Sequence, residues 1–280
     1  MQNDIPLTIF SGQYLRAVAW NVGSAQRLVA TFDHYRAGRC GFPELRRSVR
    51  FTAPGFGQIS ITSAANDWFL NPDLKPLRMA LRATDWQGAE VVGLGLSMGG
   101  YGALMLSRAL RLTRVLLVSP QLSILPRLAP FEARWRAEAA RVDPDLDRVD
   151  VSIRAGLRGV VLFDPAMKRD RRHAWAIHDL APLIRPVALR FAGHPALQHI
   201  KDAGMYPRLQ EMVMHGGIVP ARVRALHRAA RAASDLWRDH LADWADQAPA
   251  DPLEARHHPL GARRGRLGLA GDARDPAPGL

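Results

Sequence analysis

The chain is poor in cysteine, having only Cys40, and poor in lysine, having only Lys75, Lys168 and Lys201. One cysteine excludes an internal disulfide and any metal site built on cysteine spacing, so a reducing, cytoplasmic location is the default expectation. No segment approaches the roughly 20 apolar residues of a membrane-spanning helix, and no span is expected. The start, MQNDIPLTIFSGQ, carries an early acid at Asp4 and lacks a basic stretch leading into a long apolar one, so it does not read as a secretory leader. A basic cluster interleaved with aromatics is also missing. The net charge of +12, from 38 basic and 26 acidic side chains, is therefore read as arginine-rich composition, with no nucleic-acid partner expected.

What is present suits a folded domain: 48% of the 280 residues are hydrophobic, enough to build a core of ordinary size. Apolar, β-branched runs recur at Arg27–Phe32, Ile59–Ser63, Val91–Leu96, Arg114–Ser119, Gly159–Phe163 and Val187–Phe191. They alternate with helix-length segments, among them Pro76–Thr84 and Gly102–Leu110, the latter with a packing face of Leu104, Leu106 and Leu110. That alternation predicts an α/β, doubly wound, mostly parallel sheet covered on both faces. Tyr14–Asn21 with the turn-like Val22–Ser24 suggests an opening antiparallel hairpin. Residues 122–157, with three prolines, a short helix over Phe131–Arg141 and acids at Asp143, Asp145 and Asp147, read as a cap-like insertion between two strands. A helical pattern runs from Ala221 to Asp246, its arginines read as solvated surface. Residues 247–280 hold five prolines, five glycines and no aromatic residue, so the expected domain is 1–246, with 247–280 a disordered tail.

The most informative segment is Val91–Leu106, VVGLGLSMGGYGALML. Gly95-Leu96-Ser97-Met98-Gly99 is a GxSxG pattern between a strand-like and a helix-like run. A sharp strand-to-helix turn would expose the serine hydroxyl above the sheet, flanking glycines would let strand and helix approach, and the Met98 amide would face an oxyanion formed there. Two other glycine-rich readings fail: GxGxxG would need glycine at Met98, and a P-loop would need Gly-Lys-Ser/Thr.

The run Gly95–Leu104 resembles the nucleophile elbow of the α/β-hydrolase fold superfamily, a likeness that extends in weaker form over about residues 10–205. The resemblance implies a triad in the order Ser, Asp or Glu, His. Its histidine would be His194, in the Gly193-His194 turn after the last strand-like run, with His199 the fallback; His173, His178, His215, His227 and His240 lie in helical patterns. Its acid would be Asp164, at the end of a strand, or Asp170 just before the next helix; Asp164 is slightly preferred. The alternative roles are a turn acid for Asp164 and a helix cap for Asp170. A second oxyanion donor would be the backbone amide of Phe32 or Asp33, since the family's HGGG form is missing. Asn66–Phe69 would border the pocket or anchor a loop.

The expected activity is hydrolysis of an ester or thioester through an acyl-enzyme, on a small-molecule acyl substrate, with no metal and no organic cofactor. An alcohol acceptor would make it an acyltransferase, and loss of catalysis would leave a binding protein on the same fold.

Overall fold

A computed structural model describes residues 6–246 of the chain. Its eight strands are β1 (Leu7–Ser11), β2 (Leu15–Trp20), β3 (Arg27–Phe32), β4 (Phe56–Ser63), β5 (Glu90–Leu96), β6 (Arg114–Val118), β7 (Arg158–Phe163) and β8 (Ile184–Ala188). They form one sheet in the order β1-β2-β4-β3-β5-β6-β7-β8. From β4 onward every neighbour is parallel, while β2 pairs antiparallel with both β1 and β4. The architecture is thus α/β, doubly wound and mostly parallel.

Period-two alternation explains the layers. In β6, Val115 and Leu117 join the apolar cluster on one face, and Leu116 and Val118 join that on the other. A strand buried on both sides needs helices on both. The first face is covered by α1 (Leu74–Ala83), α2 (Met98–Leu106), α5 (Lys168–Leu180) and the insertion, with its single-turn helices α3 (Arg136–Ala139) and α4 (Val149–Ser152). The second is covered by α6 (Gln198–Asp202), α7 (Tyr206–Met214) and α8 (Pro220–Ala233). A last helix, α9, spans Asp235–Asp246. The compact unit runs to Ala242, and the expected tail at 247–280 lies outside the described residues.

Four local expectations need correcting. The opening antiparallel hairpin is present, but its arms are β1 and β2 with the turn at residues 12–14, not at Val22–Ser24, because β1 is a short edge strand with Leu7 largely exposed, too weakly patterned to stand out. The helix at 221–246 is two helices, broken at Ser234. There the backbone is extended and the hydroxyl accepts from the Trp237 amide at 3.1 Å, a cap for a new helix. Helix α2 has no single packing face, because every residue from Met98 to Leu106 is buried beneath the insertion and neighbouring helices. The insertion's predicted helix over Phe131–Arg141 shrinks to one turn, α3.

Candidate active site

Ser97 follows the last residue of β5 and precedes α2, with φ 50° and ψ −119°. This region is costly for a side-chain-bearing residue and persists only where its surroundings enforce it. Two hydrogen bonds do so: the Ser97 amide donates to the Val118 carbonyl at 2.9 Å, and the Gly100 amide donates to the Ser97 carbonyl at 2.9 Å. The turn also needs its glycines. A Cβ on Gly95 would lie 2.4 Å from the Gly99 oxygen, and one on Gly99 would lie 2.7 Å from the Phe32 oxygen. Larger residues at either position would push α2 off the sheet.

The loop after β8 brings His194 to this turn. Its Nε2 is 3.4 Å from Ser97 Oγ, and its Nδ1 is 2.6 Å from Asp170 Oδ2. With Nδ1–H donating to a carboxylate, Nε2 is left as an acceptor facing the serine hydroxyl. The resting Ser–His contact is long for O–H···N, as such contacts often are before substrate binds.

The two aspartates have separate tasks, and the preference for Asp164 reverses. Asp164 is buried and accepts from the Gly193 amide at 2.9 Å and the Ala166 amide at 3.0 Å, so it ties the loop carrying His194 to the end of β7. Asp170 does not cap its helix: it lies in the first turn of α5, fully buried, with both oxygens taken by side chains. The turn between β7 and α5 rotates Asp170, not Asp164, toward the imidazole. Burial alone would raise the Asp170 pKa; the His194 hydrogen bond and nearby charge of His194 and Arg134 instead hold it below the usual carboxylate range.

The loop after β3 does not present the expected Asp33 amide. Asp33 N–H donates to the Ile61 carbonyl at 2.9 Å, and its carboxylate forms a buried ion pair with Arg39 at 2.5 Å. Carbonyls of Phe32 and Asp33 face Gly99, where an added Cβ would meet them at 2.7 and 2.8 Å. Asp33 is thereby removed as an amide donor. Phe32 ends β3 in register with Ile61. The Met98 amide belongs to the opening turn of α2, where N–H groups have no carbonyl one turn behind them.

Three polar residues at the site were not singled out from sequence. Gln121, fully buried just beyond β6, has Oε1 3.1 Å from Trp68 Nε1 and Nε2 3.5 Å from Ser97 Oγ. Since the indole N–H only donates, it fixes the amide with Oε1 toward Trp68, and Nε2 donates one hydrogen to the Ser119 carbonyl at 3.3 Å, leaving its second for Ser97 Oγ. Trp68 itself is fully buried, so it anchors the loop and does not border open space. From the insertion, Arg134 Nη1 donates to Asp170 Oδ1 at 2.7 Å, while its Nη2 donates to Glu132 at 2.6 Å. Glu132 in turn accepts from His173 Nε2 at 2.9 Å, because His173 Nδ1 takes the Leu122 amide proton at 3.1 Å. The fallback histidine, His199, is remote from this cluster and pairs instead with His227 at 2.8 Å.

No protein-family model and no curated protein matches the chain. Solved structures similar to it include the capsule O-acetyltransferase of Neisseria meningitidis serogroup A, at 10% identity and TM-score 0.47, covering 72% of this chain and 93% of that one. A dienelactone hydrolase from Anabaena variabilis matches at 17% identity and TM-score 0.42, covering 77% of this chain and 97% of that one. The esterase Pf2001 of Pyrococcus furiosus matches at 12% identity and TM-score 0.44, covering 76% and 92%. The eight-stranded, mostly parallel sheet with flanking helices is the architecture that the elbow's resemblance to α/β hydrolases implies. No described helix is long and apolar enough to cross a membrane.

Proposed function

We propose that the chain is a serine hydrolase of the α/β-hydrolase type that cleaves an ester or thioester through an acyl-enzyme. The observation that carries this reading is the continuous chain Ser97 Oγ, His194, Asp170, with contacts of 3.4 and 2.6 Å, built on a backbone turn that holds the serine at positive φ. A serine hydroxyl becomes a useful nucleophile only when a base takes its proton, and the base serves only in the right tautomer. Both conditions are met by His194 as Asp170 holds it.

In the first half-reaction Ser97 Oγ bonds to the acyl carbon as its proton passes to His194 Nε2. The carbonyl electrons move onto oxygen, and Asp170 offsets the imidazolium charge. The oxyanion is held by the Met98 amide, with Gln121 Nε2 as the second donor. When the carbon–oxygen or carbon–sulfur bond breaks, the leaving group takes the proton from His194. Water then repeats the sequence on the acyl-enzyme, losing its proton to His194, and releases a carboxylic acid and free Ser97.

The test is covalent labelling by a fluorophosphonate followed by peptide mapping, then turnover on acyl esters of graded chain length. Labelling at Ser97 with ester cleavage supports the proposal. A folded protein that neither labels nor cleaves any ester would be a binding protein on this fold, and product diverted to an added alcohol would mark an acyltransferase.

A further inference from the structure

The acid of the site is paired twice, once by the histidine it orients and once by an arginine from a different part of the chain. Arg134 lies in the insertion, on the far side of β7 in sequence, and yet its guanidinium reaches the Asp170 oxygen not used by His194. Asp170 is fully buried, and the Arg134 side chain is 22% exposed. This arrangement rests on a second carboxylate. Glu132, also fully buried, takes the Arg134 backbone amide, Nε and Nη2, and is held from its other side by His173. The result is a charge chain of Glu132, Arg134, Asp170 and His194, in which the Arg134–Asp170 link joins the insertion to α5 and the Asp170–His194 link joins α5 to the β8 loop.

Building on the Ser97–His194–Asp170 reading, we propose that Arg134 is a positioning residue: it fixes the rotation of the Asp170 carboxylate and tempers the negative charge that His194 experiences, so the seating of the insertion sets how readily His194 takes a proton. A carboxylate with one free oxygen can rotate away from its histidine; one clamped by an arginine cannot. The electrostatic part follows from Coulomb's law, since a cation 2.7 Å from Asp170 disfavours a second cation on the imidazole that shares the same carboxylate. Charges at a partly buried site are only weakly screened by salt.

Other charged or titratable groups pack around this chain. On the insertion they are Arg134 and Glu132, and on α5 His173, whose own pKa is lowered, first by burial, so that it donates to Glu132 as a neutral ring. At the end of β7, Asp164 accepts the amide of Gly193, next to His194. On α9, the His240 ring lies against Gly193, where an added Cβ would meet it at 2.5 Å. Among the described residues, only Arg134 bonds directly to Asp170 apart from His194.

The experiment is the rate of Ser97 labelling by a fluorophosphonate as a function of pH, which reads the proton acceptor without knowledge of the substrate. In Arg134→Met the imidazolium loses a repelling cation and gains the unbalanced field of Glu132. The acid limb should move to higher pH, with labelling at pH 6 falling about tenfold more than at pH 9. In Glu132→Gln the arginine is no longer offset, and the limb should move to lower pH. Arg134→Lys should restore the limb toward its original position while lacking the two-sided fork. A structural role alone would lower the melting temperature and scale the rate equally at every pH. That pattern, or shifts of one sign in both charge-removing variants, would overturn the inference. Should Arg134→Met not fold, Glu132→Gln and Arg134→Lys still decide it. Labelling that persists in Ser97→Ala would instead remove the triad reading on which the proposal stands.

Discussion

His194 Nδ1 lies 2.6 Å from the Oδ2 of Asp170, whereas Asp164, six residues earlier, bonds to the backbone of the loop that carries the histidine. Exchange to asparagine therefore separates the two. Asp170→Asn replaces an acceptor by an amide that no longer enforces the useful tautomer, so turnover should fall by roughly 10⁴-fold with the fold intact. Asp164→Asn keeps one acceptor for two amides. It should retain most of its turnover relative to Asp170→Asn while losing about 1–3 kcal/mol of stability, read as a lower melting temperature. Equal turnover in the two variants would break the assignment.

Gln121 provides a second separation. Replacing it with Leu removes the amide 3.5 Å from Ser97 Oγ and the partner of Trp68 Nε1. If the side chain stabilises the oxyanion, kcat should drop by about 10²-fold with little change in KM, the usual cost of losing one such donor. A change in KM alone would assign Gln121 to substrate binding.

The pair His199 and His227 makes acid stability a test of the core on the other face. Burial, with further repulsion between the rings, lowers His199 to about 3, and burial with Arg231 and Arg228 lowers His227 to about 4. Both folded-state values lie below the ordinary histidine value, so the neutral rings belong to the folded state and the unfolded chain binds more protons once pH drops below about 6.5. Stability is thus full above about 6.5 and declines as pH falls toward 4. The melting temperature measured from pH 7.5 to 4.5 should fall in the native chain and fall less in a His199→Leu, His227→Leu double variant. Parallel curves would show that the pair does not carry the acid sensitivity.

The legible parts of this chain were those with a local period or a local spacing. The continuous apolar run after Arg114 marked a strand buried on two faces, and Gly95, Ser97 and Gly99 marked the turn, because both signals are confined to a few consecutive residues. The choice between Asp164 and Asp170 was not local. It depends on how the chain turns between β7 and α5, and each aspartate had a plausible backbone role in the sequence. Gln121, Glu132 and Arg134 were harder still, being single polar residues in irregular segments whose partners lie between 2 and 53 positions away. A polar residue in the apolar neighbourhood of Leu116–Leu125, directly after a strand end, was the one available hint for Gln121. Ser234, by contrast, had an ordinary capping signal before Asp235 that the longer helical pattern obscured.

The central claim is that Ser97 is a nucleophile activated by His194. The most direct measurement is fluorophosphonate labelling of the native protein with the modified residue identified by peptide mass, alongside folded Ser97→Ala and His194→Ala variants. The account predicts one modified residue, Ser97, with no labelling in Ser97→Ala and labelling slowed by several orders of magnitude in His194→Ala. Modification at another residue, or undiminished labelling in either variant, would contradict it.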